Sequence, residues 1–311
     1  MKYTDLITIA MPVYERKEYF LEALDSAINQ TIKCRIIVVD NNSSHDFFKT
    51  TCKQKGIKYY KNERNIGMAG NFERCIELAE SEYVTTLQDD DKLSPIYVES
   101  FLDAITKHPD VDVFFSNFVK NIGGSKYPHS HILPYGYMKD GKKIIEYAIK
   151  YKLGFPYMCS SIKKTIFSGF YKEYAGSYDW LWIYSNADRF TFYGDSRALY
   201  EFREHELQDT RNNSLKYCFS LPYLYDVILK EKAPNRKLER RASIHAFWEL
   251  ICFKSMATKD TIKEFAKNES LYGIYFVRKL SNNIFIRIIY ALPKGAVYFA
   301  YRVFRKLGFT S

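Results

Sequence analysis

The strongest constraint on this chain is an alternation in its first third. Two short apolar runs, LITIAM (6–11) and RIIVVD (35–40), flank a stretch in which Phe20, Ala23, Leu24, Ala27 and Ile28 recur at helical spacing. The pattern continues with a strand at 57–60 and a helix at 71–80 that carries Phe72, Cys75, Ile76 and Ala79 on one face. Strands at 83–87 and 111–118 follow. Ser94-Pro95 reads as a helix N-cap with proline at the first helical position. Strands that alternate with helices predict an α/β fold, a mostly parallel central sheet flanked by helices. Ligands of such sheets sit at the carboxyl ends of the strands. Asp40 ends one strand and Asp89, Asp90 and Asp91 follow another, so two acidic sites are expected to face one crevice.

Three adjacent carboxylates repel each other, which needs a reason. A solvated turn, with Asp91 or Ser94 capping the next helix, is one. A hard divalent cation, which takes oxygen ligands and cancels the repulsion, is the other. Asp179 lies in GSYDWLW, where apolar bulk raises a carboxyl's proton affinity and makes it a usable base. The plain alternative is a carboxylate at a helix N-terminus. His205, in YEFREHELQ, is by itself a single histidine with no marked role. No Gly-x-Gly-x-x-Gly follows the first strand and no Gly-x-x-x-x-Gly-Lys-Ser/Thr occurs, which argues against dinucleotide oxidoreductases and P-loop nucleotide hydrolases.

The middle of the chain is less regular. Residues 121–137 read as a loop, 142–151 as a helix, 157–163 as a strand and 177–187 as the start of an aromatic-rich helix, and 216–268 is helical with mixed charge. The six cysteines are scattered with no Cys-x-x-Cys pair, so reduced thiols in a cytosolic protein are expected. The N-terminal stretch carries Asp5 early and its apolar run ends at Pro12, unlike a secretory signal. No run reaches about 18 apolar residues, so no spanning helix is expected.

The net charge of +10 is concentrated at the end of the chain, where residues 271–311 hold seven Lys or Arg and no Asp or Glu. Ile284, Phe285, Ile288, Ile289 and Leu292 form one apolar stripe. After the break at Pro293-Lys294-Gly295, Val297, Ala300, Tyr301, Phe304 and Leu307 form a second. Apolar stripes bordered only by cations fit an anionic membrane surface, and a pair of helices packed on the main domain is the alternative. Positive charge on such a tail, with no groove-reading motif, makes nucleic acid an unexpected partner.

The motifs ITIAMPVYERKEYFLEALDSAINQT, IIVVDNNSS, NERNIGMAGNFERCIELAESEYVTTLQDDDKLSP, SYDWLWIYSNA and REH follow one another in this order. Together they resemble a family 2 glycosyltransferase with the GT-A fold, over roughly residues 5–210. The resemblance implies that Pro12, Val13 and Tyr14 border the nucleotide base, that Asp40 accepts a hydrogen bond from the base N3–H, and that Asn65 and Gly67 lie near the nucleotide. Where the family often has Asp-Gly-Ser, this chain has Asp40-Asn41-Asn42-Ser43. It implies a Mn²⁺ or Mg²⁺ ion on Asp90, with Asp91 and His205 as further ligands, Asp89 near the ribose and donor sugar, and Arg203 beside the donor. An Asp89-x-Asp91 arrangement stays open, and Gln88 stands where the family usually begins its Asp-x-Asp-Asp. Asp179 falls at the family's catalytic base, with Tyr178 replacing the usual Glu before it.

The implied domains are 1–118, the nucleotide-sugar-binding half; 119–215, the acceptor and catalytic half; 216–270, a helical extension; and 271–311, a basic amphipathic tail. The implied reaction is inverting hexosyl transfer from a UDP- or dTDP-linked sugar to a lipid-linked saccharide in bacterial surface-polysaccharide synthesis. It would take place in the cytoplasm at the inner face of the plasma membrane, with a homo-oligomer left open. The alternative is a non-catalytic GT-A-fold binding partner of a polysaccharide assembly complex.

Overall fold

The computed structural model describes residues 3–129, 134–152, 154–170, 177–208, 214–267 and 271–306. They fall into two units. One takes Met1–Lys143, Phe155–Phe170 and Arg189–Glu206, and the other takes Ile144–Gly154, Tyr171–Asp188 and Leu207–Ser311.

The first unit is built on a sheet that begins as the alternation predicts. β1 (Tyr3–Val13), β2 (Lys33–Asp40), β3 (Lys58–Lys61) and β4 (Tyr83–Thr86) run parallel in the order β3-β2-β1-β4. Helices α1 (Phe20–Ile28), α2 (Phe47–Lys55) and α3 (Gly67–Leu78) connect them. Period-two alternation along β1 sends Ile7, Ile9, Met11 and Val13 into one buried cluster with Phe20, Leu24 and Phe48. Phe101 joins them from α4 (Tyr97–Lys107). Helix α3 packs on β1 and β2 and buries Phe72, Cys75 and Ile76, which lie outside that cluster.

Beyond β4 the sheet becomes mixed. β5 (Lys92–Leu93), β6 (Val113–Ile122), β7 (Ser125–His129), β8 (Gly136–Met138), β9 (Ser160–Lys163) and β10 (Phe192–Glu204) complete ten strands among the described residues. β9 inserts antiparallel between β4 and β6, and β10 runs parallel to β6. The turn-rich segment expected as a loop therefore holds two strands, because β7 folds back on β6 across Gly123-Gly124 and β8 pairs with β10. β6 runs unbroken through the expected division at 118/119, so the sheet draws on both expected halves. Helix α4 begins at Tyr97 with no side-chain cap. Ser94 and Pro95 form a turn instead, with Ser94 C=O accepting from Tyr97 N–H and Pro95 C=O from Thr31 N–H.

The second unit is helical. It contains α5 from Ile144 onward (Lys142–Tyr151), α6 (Tyr178–Asn186) and a long helix Arg236–Met256, whose N-cap Asn235 accepts from Leu238 N–H. Phe253 of that helix packs edge to face with Phe265 and Phe276, and Phe219 packs edge to face with Phe276 and tilted against Phe253 and Phe265. His245 is buried against the Ile149 carbonyl, 2.9 Å away. Pro222, inside the helix Ser214–Tyr223, is followed by a π-helical segment, Leu224–Leu229.

The expected tail forms helices Leu271–Asn282, Ile284–Ala291 and Lys294–Lys306, the last two bent by 115°. No single helix among the described residues is long and apolar enough to cross a membrane. The tail packs and exposes apolar surface together. Ile286 and Val297 are buried, and Tyr290 donates to the Leu250 carbonyl at 2.9 Å. Of the first stripe Ile284, Phe285, Ile288 and Leu292 are exposed and Ile289 is half-buried. In the last helix the large exposed apolar side chains are Tyr298, Phe299 and Val303, and Val297 is buried. The side chain of Phe304, and Leu307, lie outside the described residues.

Candidate active site

Two acidic strand ends meet at the carboxyl edge of the parallel strands. Val13 pairs with Asp40 across β1 and β2, Ala10 pairs with Thr86 across β1 and β4, and Leu87 N–H donates to the Ala10 carbonyl. The three chains thus leave the sheet side by side.

At the first strand end both oxygens of the Asp40 carboxylate are engaged. Asp40 is fully buried, and one of its oxygens accepts from Ser43 N–H (2.8 Å) and Ser43 O–H (2.6 Å). Its other oxygen accepts from Tyr59 O–H (2.6 Å). The turn that folds Ser43 back is made by Asn42 at φ 69°, in the left-handed region that asparagine tolerates. The Asp40 carboxylate therefore organises the loop from below. Asn41 ties this loop to the next: its Nδ2 donates to Asn65 Oδ1 (2.9 Å), and its Oδ1 accepts from Ile66 N–H (3.0 Å). Asn65 Oδ1 also accepts from Gly67 N–H, at 2.8 Å. Gly67 takes φ 78°, which favours glycine, as α3 begins. Pro12 and Val13 are buried at the end of β1, and of the three residues expected to border the base only Tyr14 is exposed.

The second strand end is crowded and incompletely satisfied. Asp89, Asp90 and Asp91 are all buried. Asp91 is a brace, with one oxygen accepting from Tyr200 O–H (2.7 Å) and the other from Arg203 N–H (2.8 Å), both on β10. Burial, and then neighbouring Asp90, holds the Asp91 carboxyl well above the ordinary range. Burial pushes the Asp89 carboxyl up to about 7, against the pull of Arg16. Asp90 Oδ2 lies 3.0 Å from His205 Nε2, and Asp90 Oδ1 is buried without a hydrogen-bond partner among the described residues. The Tyr19 ring supports Arg203 of β10 and His205 just beyond it, with the Arg203 guanidinium 4.2 Å above it and the His205 ring centred 4.9 Å away. Arg203 also donates to Glu22, at 2.8 Å.

Arg16 enters this cluster from the loop after β1. Its guanidinium bridges Asp89 and Asp90, at 2.7 Å from the latter. Among the described residues no three His, Cys, Asp or Glu side chains form a finished metal cage. The donors nevertheless suit a divalent ion, because Asp90 offers an oxygen with no partner and His205 a ring nitrogen beside it. Sequence reasoning singled out Asp90 and His205 but missed Arg16, Tyr19, Asn41 and Tyr200. The signal for Arg16 was the need of three buried carboxylates for a cation.

Asp179 belongs to the helical unit. It is the second residue of α6, partly buried, and burial pushes its carboxyl up to about 6, opposed by the Trp180 N–H. Trp180 is seated over Gly154, where an added Cβ would stand 1.9 Å from the indole. Any larger residue at 154 displaces that ring.

Comparison with known proteins assigns the class. The family model for Glycosyl transferase family 2 matches residues 8–167. A protein of Rickettsia typhi described as an uncharacterized glycosyltransferase is 28% identical over 253 residues, 79% of this chain and 78% of its own. The minor teichoic acid biosynthesis protein GgaB of Bacillus subtilis is 30% identical over 115 residues, 34% of this chain and 13% of that protein.

Among solved structures, S. aureus TarS 1–349 in complex with UDP-GlcNAc superposes with TM-score 0.62 at 17% identity, covering 99% of this chain and 92% of that one. The mannosyltransferase PcManGT of Pyrobaculum calidifontis, in complex with GDP-Man and Mn²⁺, superposes with TM-score 0.54 at 13% identity, covering 96% and 86%. The chain belongs to glycosyl transferase family 2, has the GT-A fold, and is a glycosyltransferase.

Proposed function

We propose that the protein transfers a hexosyl group, with inversion, from a UDP- or dTDP-linked sugar to a hydroxyl of a lipid-linked saccharide during cell-surface polysaccharide synthesis. The unpartnered buried oxygen of Asp90 carries this reading, because it marks where the donor complex supplies what the protein lacks. The relation to a teichoic acid biosynthesis protein and the likeness to a UDP-GlcNAc complex support the donor and acceptor classes.

Tyr14, exposed beside the loop that Asp40 and Asn41 hold, stacks on the base. Asn65 and Gly67 fix the neighbouring wall. Asp90 and His205, with Asp89 beside them, would hold a Mn²⁺ or Mg²⁺ ion, while Asp91 keeps β10 in register. When bound, that ion supplies charge neutralisation for the leaving diphosphate. Arg203 adds fixed positive charge beside it. Asp179, as the carboxylate, takes the proton from the acceptor hydroxyl while that oxygen forms the new bond to the anomeric carbon. The bond from that carbon to the diphosphate breaks in the same displacement, which inverts the centre and needs no covalent enzyme intermediate.

The same reading puts the tail against an anionic lipid surface on the cytoplasmic side of a plasma membrane, and its side chains support that. Phe285 and Phe299 are each 71% exposed and Ile284 is 66% exposed, with Arg287, Lys294 and Arg302 exposed nearby and no acidic residue from 271 to 311. That pairing of apolar and cationic side chains complements anionic headgroups over an acyl layer.

A thermal-shift screen of UDP-, dTDP- and GDP-sugars with Mn²⁺, followed by a transfer assay on the best donor, tests the reading. Stabilisation by one of the first two classes, dependent on Mn²⁺, is expected. No stabilisation by any of them, or release of sugar from a plain glycoside instead, overturns it.

A further inference from the structure

The acidic strand end already holds a cation, and that cation belongs to the chain. Arg16 Nη2 donates to Asp89 Oδ1 and lies 2.7 Å from Asp90 Oδ2, and its Nη1 lies 3.4 Å from His205 Nε2. One guanidinium thus touches all three side chains placed around the divalent ion above.

The backbone is built to deliver it there. Glu15 takes φ 56°, a left-handed conformation that a non-glycine residue adopts at a cost, and Arg16 N–H closes a three-residue turn onto the Tyr14 carbonyl at 2.6 Å. The turn is clamped from the Asp40 loop. Glu15 N–H donates to Ser43 Oγ (2.9 Å), and the Glu15 carboxylate accepts from Ser44 N–H (2.7 Å) and Ser44 O–H (2.9 Å). His45 Nε2 meets the Glu15 carbonyl at 2.9 Å.

The cluster that results is not a finished salt bridge. Two of its buried polar atoms, Arg16 Nε and Asp90 Oδ1, have no hydrogen-bond partner. A permanent structural ion pair in a buried site pairs its remaining donors and acceptors, because each orphan carries its full desolvation cost. A pair that leaves one orphan on each side is suited to being opened.

We propose that Arg16 is a resident counter-cation, which occupies Asp89 and Asp90 in competition with the divalent ion and must be displaced for that ion to bind. This rests on the divalent-ion reading of the site. Arg16 then sets metal affinity from within: it balances the acidic cluster's charge, and it weakens binding of a free cation by the amount needed to evict a charge-assisted pair.

Calorimetric titration of Mn²⁺ into the full-length wild-type protein, Arg16→Gln and Arg16→Lys tests this without any turnover measurement. Arg16→Gln keeps a polar side chain and loses both the charge and the reach of the guanidinium, so it is expected to bind Mn²⁺ about tenfold more tightly, or more, than wild type. Arg16→Lys keeps the charge but loses the fork, and is expected to fall between them. Affinities equal to or weaker than wild type in both variants overturn the competition and leave the metal site standing. Absence of Mn²⁺ binding in all three proteins overturns the divalent-ion reading and the competition with it. Should Arg16→Gln not fold, Arg16→Lys against wild type decides in the same way.

Discussion

The two acidic strand ends lie on neighbouring loops and are built to opposite rules. Around Asp40 the accounts close: both carboxylate oxygens accept internal hydrogen bonds, and the side chain has no exposed surface. Around Asp89–Asp91 they do not close. Two buried carboxylates, Asp89 and Asp90, share one guanidinium beside Asp91, and among the described residues Asp90 Oδ1 has no partner. The difference separates scaffold from chemistry. A satisfied carboxylate holds a loop in place, whereas an unsatisfied one marks the point where a ligand completes the structure.

Substitution separates the two most sharply. Asp90→Asn is expected to lower donor-saturated turnover by about a hundredfold to a thousandfold, the scale seen when one group that stabilises developing charge is removed. It should cost little thermal stability, since the change removes one of three like charges. A variant with normal turnover breaks the comparison at its active end.

Asp179→Asn extends the contrast to the helical unit. Turnover should fall by about a hundredfold or more while donor binding persists. The pH profile gives a second handle, because the Asp179 carboxyl is raised to about 6 and only its ionised form takes a proton. Activity should therefore be full above that value and decline as pH falls through it, sooner than an ordinary carboxylate would allow. A rate that stays flat well below it removes Asp179 as the base.

Asp40→Ala should show the opposite behaviour to Asp90→Asn. Loss of the acceptor strands Ser43 and Tyr59 donors and destabilises the fold by about 1–3 kcal/mol. The loss is read as a lower denaturation midpoint, even before substrate is added. An unchanged midpoint would place Asp40 among the ligand-facing groups after all.

The smallest effect concerns the tail, where apolar side chains repeat the same distinction between partnered and unpartnered. Phe285→Ser with Phe299→Ser should weaken sedimentation with anionic vesicles by about tenfold while leaving stability and donor hydrolysis near normal. Equal sedimentation removes the lipid assignment. Trimming the whole tail is a poorer probe, because Tyr272, Phe276 and Ile286 are buried in the helical unit.

The sequence made some of this legible and hid the rest for physical reasons. The parallel half of the sheet could be read because its strands are continuous apolar runs, and both acidic sites could be read because they end such runs. β10 was hidden because Gly194-Asp195-Ser196-Arg197 interrupts it where its register to β6 slips. β7 and β8 were hidden inside a segment rich in turn residues. Arg16 lies in a Glu-Arg-Lys-Glu run that reads as solvated surface, and only the left-handed turn at Glu15 directs it inward. The family resemblance implied Asp91 as a metal ligand. Its commitment to Tyr200 and Arg203 depends on a strand more than a hundred residues away in sequence.

Diffraction at the manganese edge from crystals grown with UDP and Mn²⁺ tests the central claim most directly. The account predicts one anomalous peak in contact with Asp90 Oδ1 and His205 Nε2, Arg16 withdrawn from Asp89 and Asp90, and the uridine beside Tyr14. Nucleotide bound with no manganese at Asp90, or manganese bound away from it, would contradict the account.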